Sequence, residues 1–154
     1  MSSFQVRPMD SVSFTGMTSV TRDLLPGGVV RLSSGKATFE FARPRPGKLL
    51  ITISGMDKGQ FGPSTLDEIT ASLDREGALE LFIDAREAVG AAVSVSDDWT
   101  RFFSVQRARL RRVHVLAGSK AVKLTVAIAQ HLSRTGDLIQ IYSDSQIFED
   151  RLRS

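Results

Sequence analysis

LELFID (Leu79–Asp84), RVHVLA (Arg112–Ala117) and DLIQIY (Asp137–Tyr142) decide the fold. Each is a short apolar run, rich in branched residues and bounded by glycine or charge, which is the pattern of a buried strand. The stretches between them are long enough for the crossover helix that a parallel strand pair requires. The fold class is therefore α/β. The spacing predicts a single domain with a mixed β-sheet: an N-terminal hairpin, then parallel β-α-β units, flanked by about four helices.

Upstream of these runs, ATFEFAR (Ala37–Arg43) and KLLITISG (Lys48–Gly55) are joined by Pro44-Arg45-Pro46-Gly47, a turn rich in residues with restricted or special dihedrals. This is the predicted hairpin. Thr38, Glu40 and Ala42 fall on one side of its first strand and Phe39 and Phe41 on the other, as expected of an edge strand with one buried face. Leu49-Leu50-Ile51 lacks alternation and reads as buried on both faces, and Val29–Leu32 adds a further short strand. Residues 1–28 have no sustained period and read as a loosely ordered arm ahead of a domain spanning 29–154. An arm of this kind can alternatively clamp onto a partner through Phe4, Phe14, Met17 and Leu24.

Four helices are expected. Thr65-Leu66-Asp67-Glu68 matches a capping box, with Leu66, Ile69 and Leu73 as an apolar stripe and Gly77 as a left-handed stop. A second helix is predicted over Ser96–Leu110, capped by Ser96, with Trp99, Phe102 and Phe103 at core spacing. The helix Ser119–Arg134 has one stripe of Val122, Thr125, Val126, Ala129 and Leu132 and a second of Ala121, Leu124 and Ile128. Its wet face is narrow, so a second layer or another subunit should cover it. A terminal helix over Ser145–Leu152 carries Ile147, Phe148 and Leu152.

Composition sets limits on the chemistry. The 154 residues include no cysteine and two histidines, which removes disulfides, thiolate metal sites and cysteine nucleophiles. No segment approaches the length of a membrane span, and the start of the chain lacks a signal-peptide core, so a cytoplasmic protein is expected. The net charge of +3 hides a segregation: residues 61–100 carry nine acids and two bases, and residues 101–123 seven bases and no acid. The basic run Arg107, Arg109, Arg111 and Arg112 lacks the interleaved aromatics of a nucleic-acid face and reads as solvated.

The segments LELFIDAR, DDWTRFF, RVHVLAGSKAV and IQIYSDSQIFED, in this order behind a hairpin, resemble the STAS/SEC14 type of domain, the anti-sigma-factor-antagonist-like (SpoIIAA-like) family. The resemblance covers roughly residues 36–152. It implies a mixed sheet flanked by helices and a regulatory or ligand-sensing role without turnover. Antagonists of this kind carry a phosphorylatable serine directly after the central strand. Here that segment reads Asp84-Ala85-Arg86-Glu87-Ala88-Val89-Gly90, and serines come only later, at Ser94 and Ser96.

Ligands of parallel α/β sheets bind beyond the carboxyl ends of the strands. Three loops, Asp84–Asp97, Ala117–Ala121 and Tyr142–Gln146, are expected to share that rim and to present Asp84, Arg86, Ser94, Ser96, Ser119, Lys120 and Ser143. Gly118-Ser119-Lys120 opens a helix, where free amides, a hydroxyl and an ammonium can meet an anion, although Ser119 also suits a helix cap. The spacing is not that of a Walker loop. Asp84 can hold its own loop or a ligand, and Arg86 a carboxylate, a phosphate or Asp84 itself. His114 alternates with Val113 and Val115 and is expected to be packed with one nitrogen satisfied. No histidine, serine and acid fall into a triad, and no cofactor or metal site is expected. The reading is a non-enzymatic regulatory domain with a protein partner, self-association through Ala121, Leu124 and Ile128 included. The alternative is a small-molecule binder of anionic or amphipathic, lipid-like ligands at the same rim.

Overall fold

The structure, a computed structural model, describes residues 19–154. Seven strands form one sheet in the strict order of the chain: β1 (Thr21–Leu25), β2 (Val29–Ser34), β3 (Ala37–Arg45), β4 (Lys48–Asp57), β5 (Leu79–Ala91), β6 (Leu110–Ala117) and β7 (Ile139–Tyr142). Pairing is antiparallel from β1 to β4 and parallel from β4 to β7. The helices are α1 (Ser64–Glu76), α2 (Val93–Gln106), α3 (Lys120–Leu132) and α4 (Ser145–Arg153). The mixed α/β sheet with a hairpin, parallel units and four helices is the architecture expected from the sequence.

The order of the parallel strands dictates where the helices go. Strands are added in one direction, and right-handed crossovers then place every connecting helix on the same face. Accordingly Ile69 and Leu73 of α1, Phe102 and Phe103 of α2 and Val122 of α3 all pack with Leu49, Ile51, Leu81, Ile83, Val113 and Val115 in one cluster. The alternate residues of the same strands, Phe82 and Leu116, point the other way. There they meet Phe148 of α4, with Leu50, Tyr142 and Leu152 around them.

Several expectations are corrected. The chain from Thr21 to Leu25 is not a loose arm but the edge strand, paired with β2 from Thr21↔Ser33 to Leu25↔Val29 and tied to α1 by Arg22 Nε donating to Glu68 at 2.7 Å. Phe4, Phe14 and Met17 lie outside the described residues. β3 is therefore an inner strand, although Phe39 and Phe41 are buried on one face as expected. The Thr65 capping box does not form. Helix α1 starts at Ser64, whose hydroxyl donates to the Phe61 carbonyl, Thr65 is buried, and Glu68 is engaged by Arg22. Gly77 does stop the helix at φ 83°, its amide reaching the Leu73 carbonyl.

Helix α2 begins three residues early, at Val93, without a side-chain cap, so Ser96 lies inside it and Leu110 instead opens β6. Helix α3 ends at Leu132, short of Arg134. The largest correction is β5. The expected loop from Asp84 is strand as far as Ala91, thirteen residues in all, and Asp57 and Ala91 are paired at its far end.

Candidate functional site at the strand ends

The extension of β5 creates a cavity. Its inward-facing residues there are small, Ala85, Ala88, Gly90 and Ala91, and they do not fill the space beneath α2 and α3. The void, about 110 Å³, is lined by Trp99 and Phe103 of α2 and by Val122, Val126 and Ala129 of α3. Its lining is almost entirely apolar. The exceptions are Asp57, Ser96 and Thr125, and Thr125 spends its hydroxyl on the Ala121 carbonyl at 3.0 Å.

Asp57 ends β4 and is only 7% exposed. Its Oδ1 accepts from the Gly59 amide at 2.9 Å, and its main-chain carbonyl accepts from Ala92 at 2.8 Å, holding the start of α2. No other hydrogen bond reaches its carboxylate among the described residues. Burial pushes its pKa up, the Gly59 amide opposes this, and the charge of Asp98 raises it further. A partly desolvated carboxylate with one oxygen not engaged by the described residues therefore borders an otherwise apolar cavity. Sequence reading passed over it. The signal was the acid closing KLLITISGMD before Lys58-Gly59, where a side-chain turn fixes the carboxylate at a strand end.

The expected rim residues fall into separate places. Asp84 and Arg86 point to the α4 face. Arg86 donates from Nε and Nη2 to Asp84 at 3.0 and 2.8 Å, the Arg86 amide reaches the same carboxylate, and Glu149 of α4 stands 3.9 Å away. Burial pushes the Asp84 carboxyl up, but the Arg86 guanidinium and amide overcome it and hold its pKa below the usual range. Gly118 lies directly on this pair: a Cβ there would come within 2.8 Å of the Arg86 Cα, so only glycine fits. Ser119 caps α3, its Oγ accepting from the Val122 amide at 3.2 Å, and Lys120 is exposed beside it. Ser143 accepts from Lys123 at 3.5 Å. Ser94 is exposed in the first turn of α2, and Ser96 lines the cavity on the opposite face from Arg86. The structure therefore joins Arg86, Asp84 and the head of α3, and separates Ser94 and Ser96 from them.

On the α4 face, His114 is buried with both nitrogens engaged, not one: Nε2 meets Glu80 at 2.6 Å and Nδ1 the Tyr142 hydroxyl at 2.7 Å. Its ring stacks on Phe82 with centroids 4.3 Å apart. Burial lowers its pKa from 6.5, Glu80 works against that, and Arg112 and Arg151 lower it further. A neutral imidazole that donates to Glu80 and accepts from Tyr142 satisfies all three groups.

On the outer surface of α3, Ala121, Leu124 and Ile128 are exposed, with no layer of the described residues over them, and Leu132, expected in the core stripe, is exposed and extends their line. No helix in the described residues is long and apolar enough to cross a membrane.

No family model and no curated protein matches the sequence. Solved structures do. An uncharacterized protein of the DUF3478 family with a SpoIIAA-like fold, from Shewanella loihica PV-4, superposes with a TM-score of 0.58 at 14% identity, over 78% of this chain and 98% of the other. The anti-sigma factor antagonist SpoIIAA in its unphosphorylated form superposes with a TM-score of 0.51 at 13% identity, over 75% and 96%. The mixed seven-stranded sheet with its four helices thus has a SpoIIAA-like, STAS-type fold.

Proposed function

We propose that this chain is a regulatory protein-interaction domain without catalytic turnover, working in the cytoplasm through the outward stripe of α3. The observation that supports it is the line Leu124, Ile128 and Leu132, spaced by one helical turn and 62%, 50% and 61% exposed. A contiguous apolar ridge of this kind marks a contact surface more often than bare solvent. Ala121 continues it toward Ser119 and Lys120, and Lys123 reaches Ser143, so the proposed surface has a polar border of Ser119, Lys120 and Ser143, while Asp84 and Arg86 lie on the α4 side of the sheet. The regulatory reading draws support from the anti-sigma factor antagonist among proteins of this fold.

The first occupant to test is a second copy of the chain. Light scattering at about 100 μM, where association of roughly 5 kcal/mol or more shows, is expected to find self-association that Leu124→Glu abolishes with little change in melting temperature. A wild type that stays monomeric across that range would refute pairing through this ridge.

A second reading, a small-molecule binder, draws support from the cavity beneath α2 and α3. Its lining holds a carboxylate and no lysine or arginine, which favours an amphipathic ligand over an anionic one.

A further inference from the structure

Resting on that second reading, we infer that the cavity takes a small amphipathic amine, its apolar body among Ala88, Trp99, Val126 and Ala129 and its ammonium on the carboxylate of Asp57. The size of the void, about 110 Å³, is of the order of the roughly 150 Å³ apolar cavity that accepts benzene, so the apolar part is a single ring or a short branched chain. The polar end is set by what the wall offers. Asp57 is more than nine-tenths buried, one of its oxygens is held by Gly59, and the other has no donor among the described residues.

A cation there supplies a donor to the second oxygen and neutralises a partly desolvated charge, and such a charge-assisted contact is stronger than a neutral one. An anion meets the opposite situation. Asp57 repels it, Asp98 is close enough to affect the Asp57 carboxyl, and Arg101, the base nearest on α2, is already paired with Asp98 at 3.3 Å. Ser96, on the same lining, provides a hydroxyl that can accept from the ammonium. The position also agrees with the general rule for parallel sheets, since Asp57 and Ala91 are the last residues of adjacent strands β4 and β5.

Calorimetric and NMR titrations with toluene, benzylamine and benzoate at neutral pH separate the class of ligand from the existence of the site. The expected result is measurable toluene binding, benzylamine at least tenfold tighter, and no benzoate binding. In Asp57→Asn the benzylamine advantage should disappear while toluene affinity stays within twofold. Toluene binding with no preference for the amine would overturn the amine assignment and leave the cavity as a site. Failure of toluene and benzylamine alike at 10-millimolar-order concentrations would overturn both. Because Asp57 also supports the turn at Gly59, the wild type provides an independent readout. Benzylamine should lower the pKa of the Asp57 carboxyl followed by carbon NMR, and an unmoved titration would refute the contact.

Discussion

The two faces of the sheet are built from alternate residues of the same strands, yet they differ in kind. On the crossover face, Leu81, Ile83, Val113 and Val115 join three helices in one continuous apolar cluster. On the other, among the described residues, only Phe82, Leu116 and Phe148 form a core, and their neighbours Glu80, His114, Tyr142 and Lys48 are polar groups tied to one another or to α4. The nine residues of α4 bury a single side chain, Phe148, and its last carbonyls are held by the Lys48 ammonium, at 3.0 Å for Leu152 and 2.6 Å for Ser154. One face is held by area and the other by a few directed bonds. Removal of area should therefore act on the whole fold, whereas removal of a directed bond should act on α4 or through pH.

The largest effect belongs to the crossover face. Leu81→Ala, at a site with no exposure, should destabilise by about 3 kcal/mol or more, through lost burial plus the cavity left behind. Urea denaturation would show it as a lower midpoint with an unchanged slope. Phe148→Ala should cost less than a typical buried phenylalanine, about 2 kcal/mol, because a short helix with one anchor can open without the rest. Hydrogen exchange should then show protection lost in α4 and kept in β5. Loss of protection across the sheet would mean that α4 is integral to the core and the contrast between the faces is false.

His114 sharpens the contrast by titration. Its native pKa lies below 6.5, so between that lowered value and 6.5 the unfolded chain binds more protons than the native one. Stability from this group is complete above 6.5 and is lost as the pH falls through that window. Urea midpoints of the wild type and of His114→Gln, measured from about pH 5 to pH 8, should converge toward the acid end, and parallel curves would refute the assignment. The smallest effect is expected from Arg86→Ala. Its partner Asp84 is well shielded, but Arg86 itself is 44% exposed, and the change should cost about 0.5–1 kcal/mol and weaken further in high salt.

How much of this was legible in the sequence follows from the same distinction between burial and pairing. Strands β3 to β7 announce themselves as short runs rich in branched and aromatic residues, Phe39/Phe41, Leu49/Ile51, Leu81/Ile83, Val113/Val115 and Ile139/Ile141 among them, although Leu50, expected to be buried with its neighbours, is only half-buried. The existence of a second apolar stripe on α3 and the caps at Ser119 and Gly77 were readable for the same local reasons. β1 was not. TRDLL is largely exposed and becomes a strand through backbone pairing with β2, which no side-chain period records. The second half of β5 was missed because Ala85, Ala88, Gly90 and Ala91 are small and carry little hydrophobic signal, and that smallness is what opens the cavity. The capping box failed through a competitor distant in sequence: Glu68 bonds Arg22, 46 residues away. Of the site, the strand-end rule located the region and the Arg86–Asp84 pair, while Asp57 lies past Gly55, where the predicted hairpin strand ends, in the part that β4 adds.

The strict neighbour-to-neighbour order of the strands has a kinetic side. Among the described residues every strand pairs only with strands adjacent in sequence, so none of these strands must wait for a distant one before it is added. The costly loop closures are the three crossovers, each spanning one helix. The antiparallel meander from β1 to β4 closes through short turns, so it can form early and act as the template on which β5, β6 and β7 are laid in turn. Synthesis from the N-terminus releases the strands in that order. A chain emerging in this way can meet each partner strand already in place, and its growing sheet edge at any moment is the one that the next segment is about to cover, whereas the β1 edge stays open throughout.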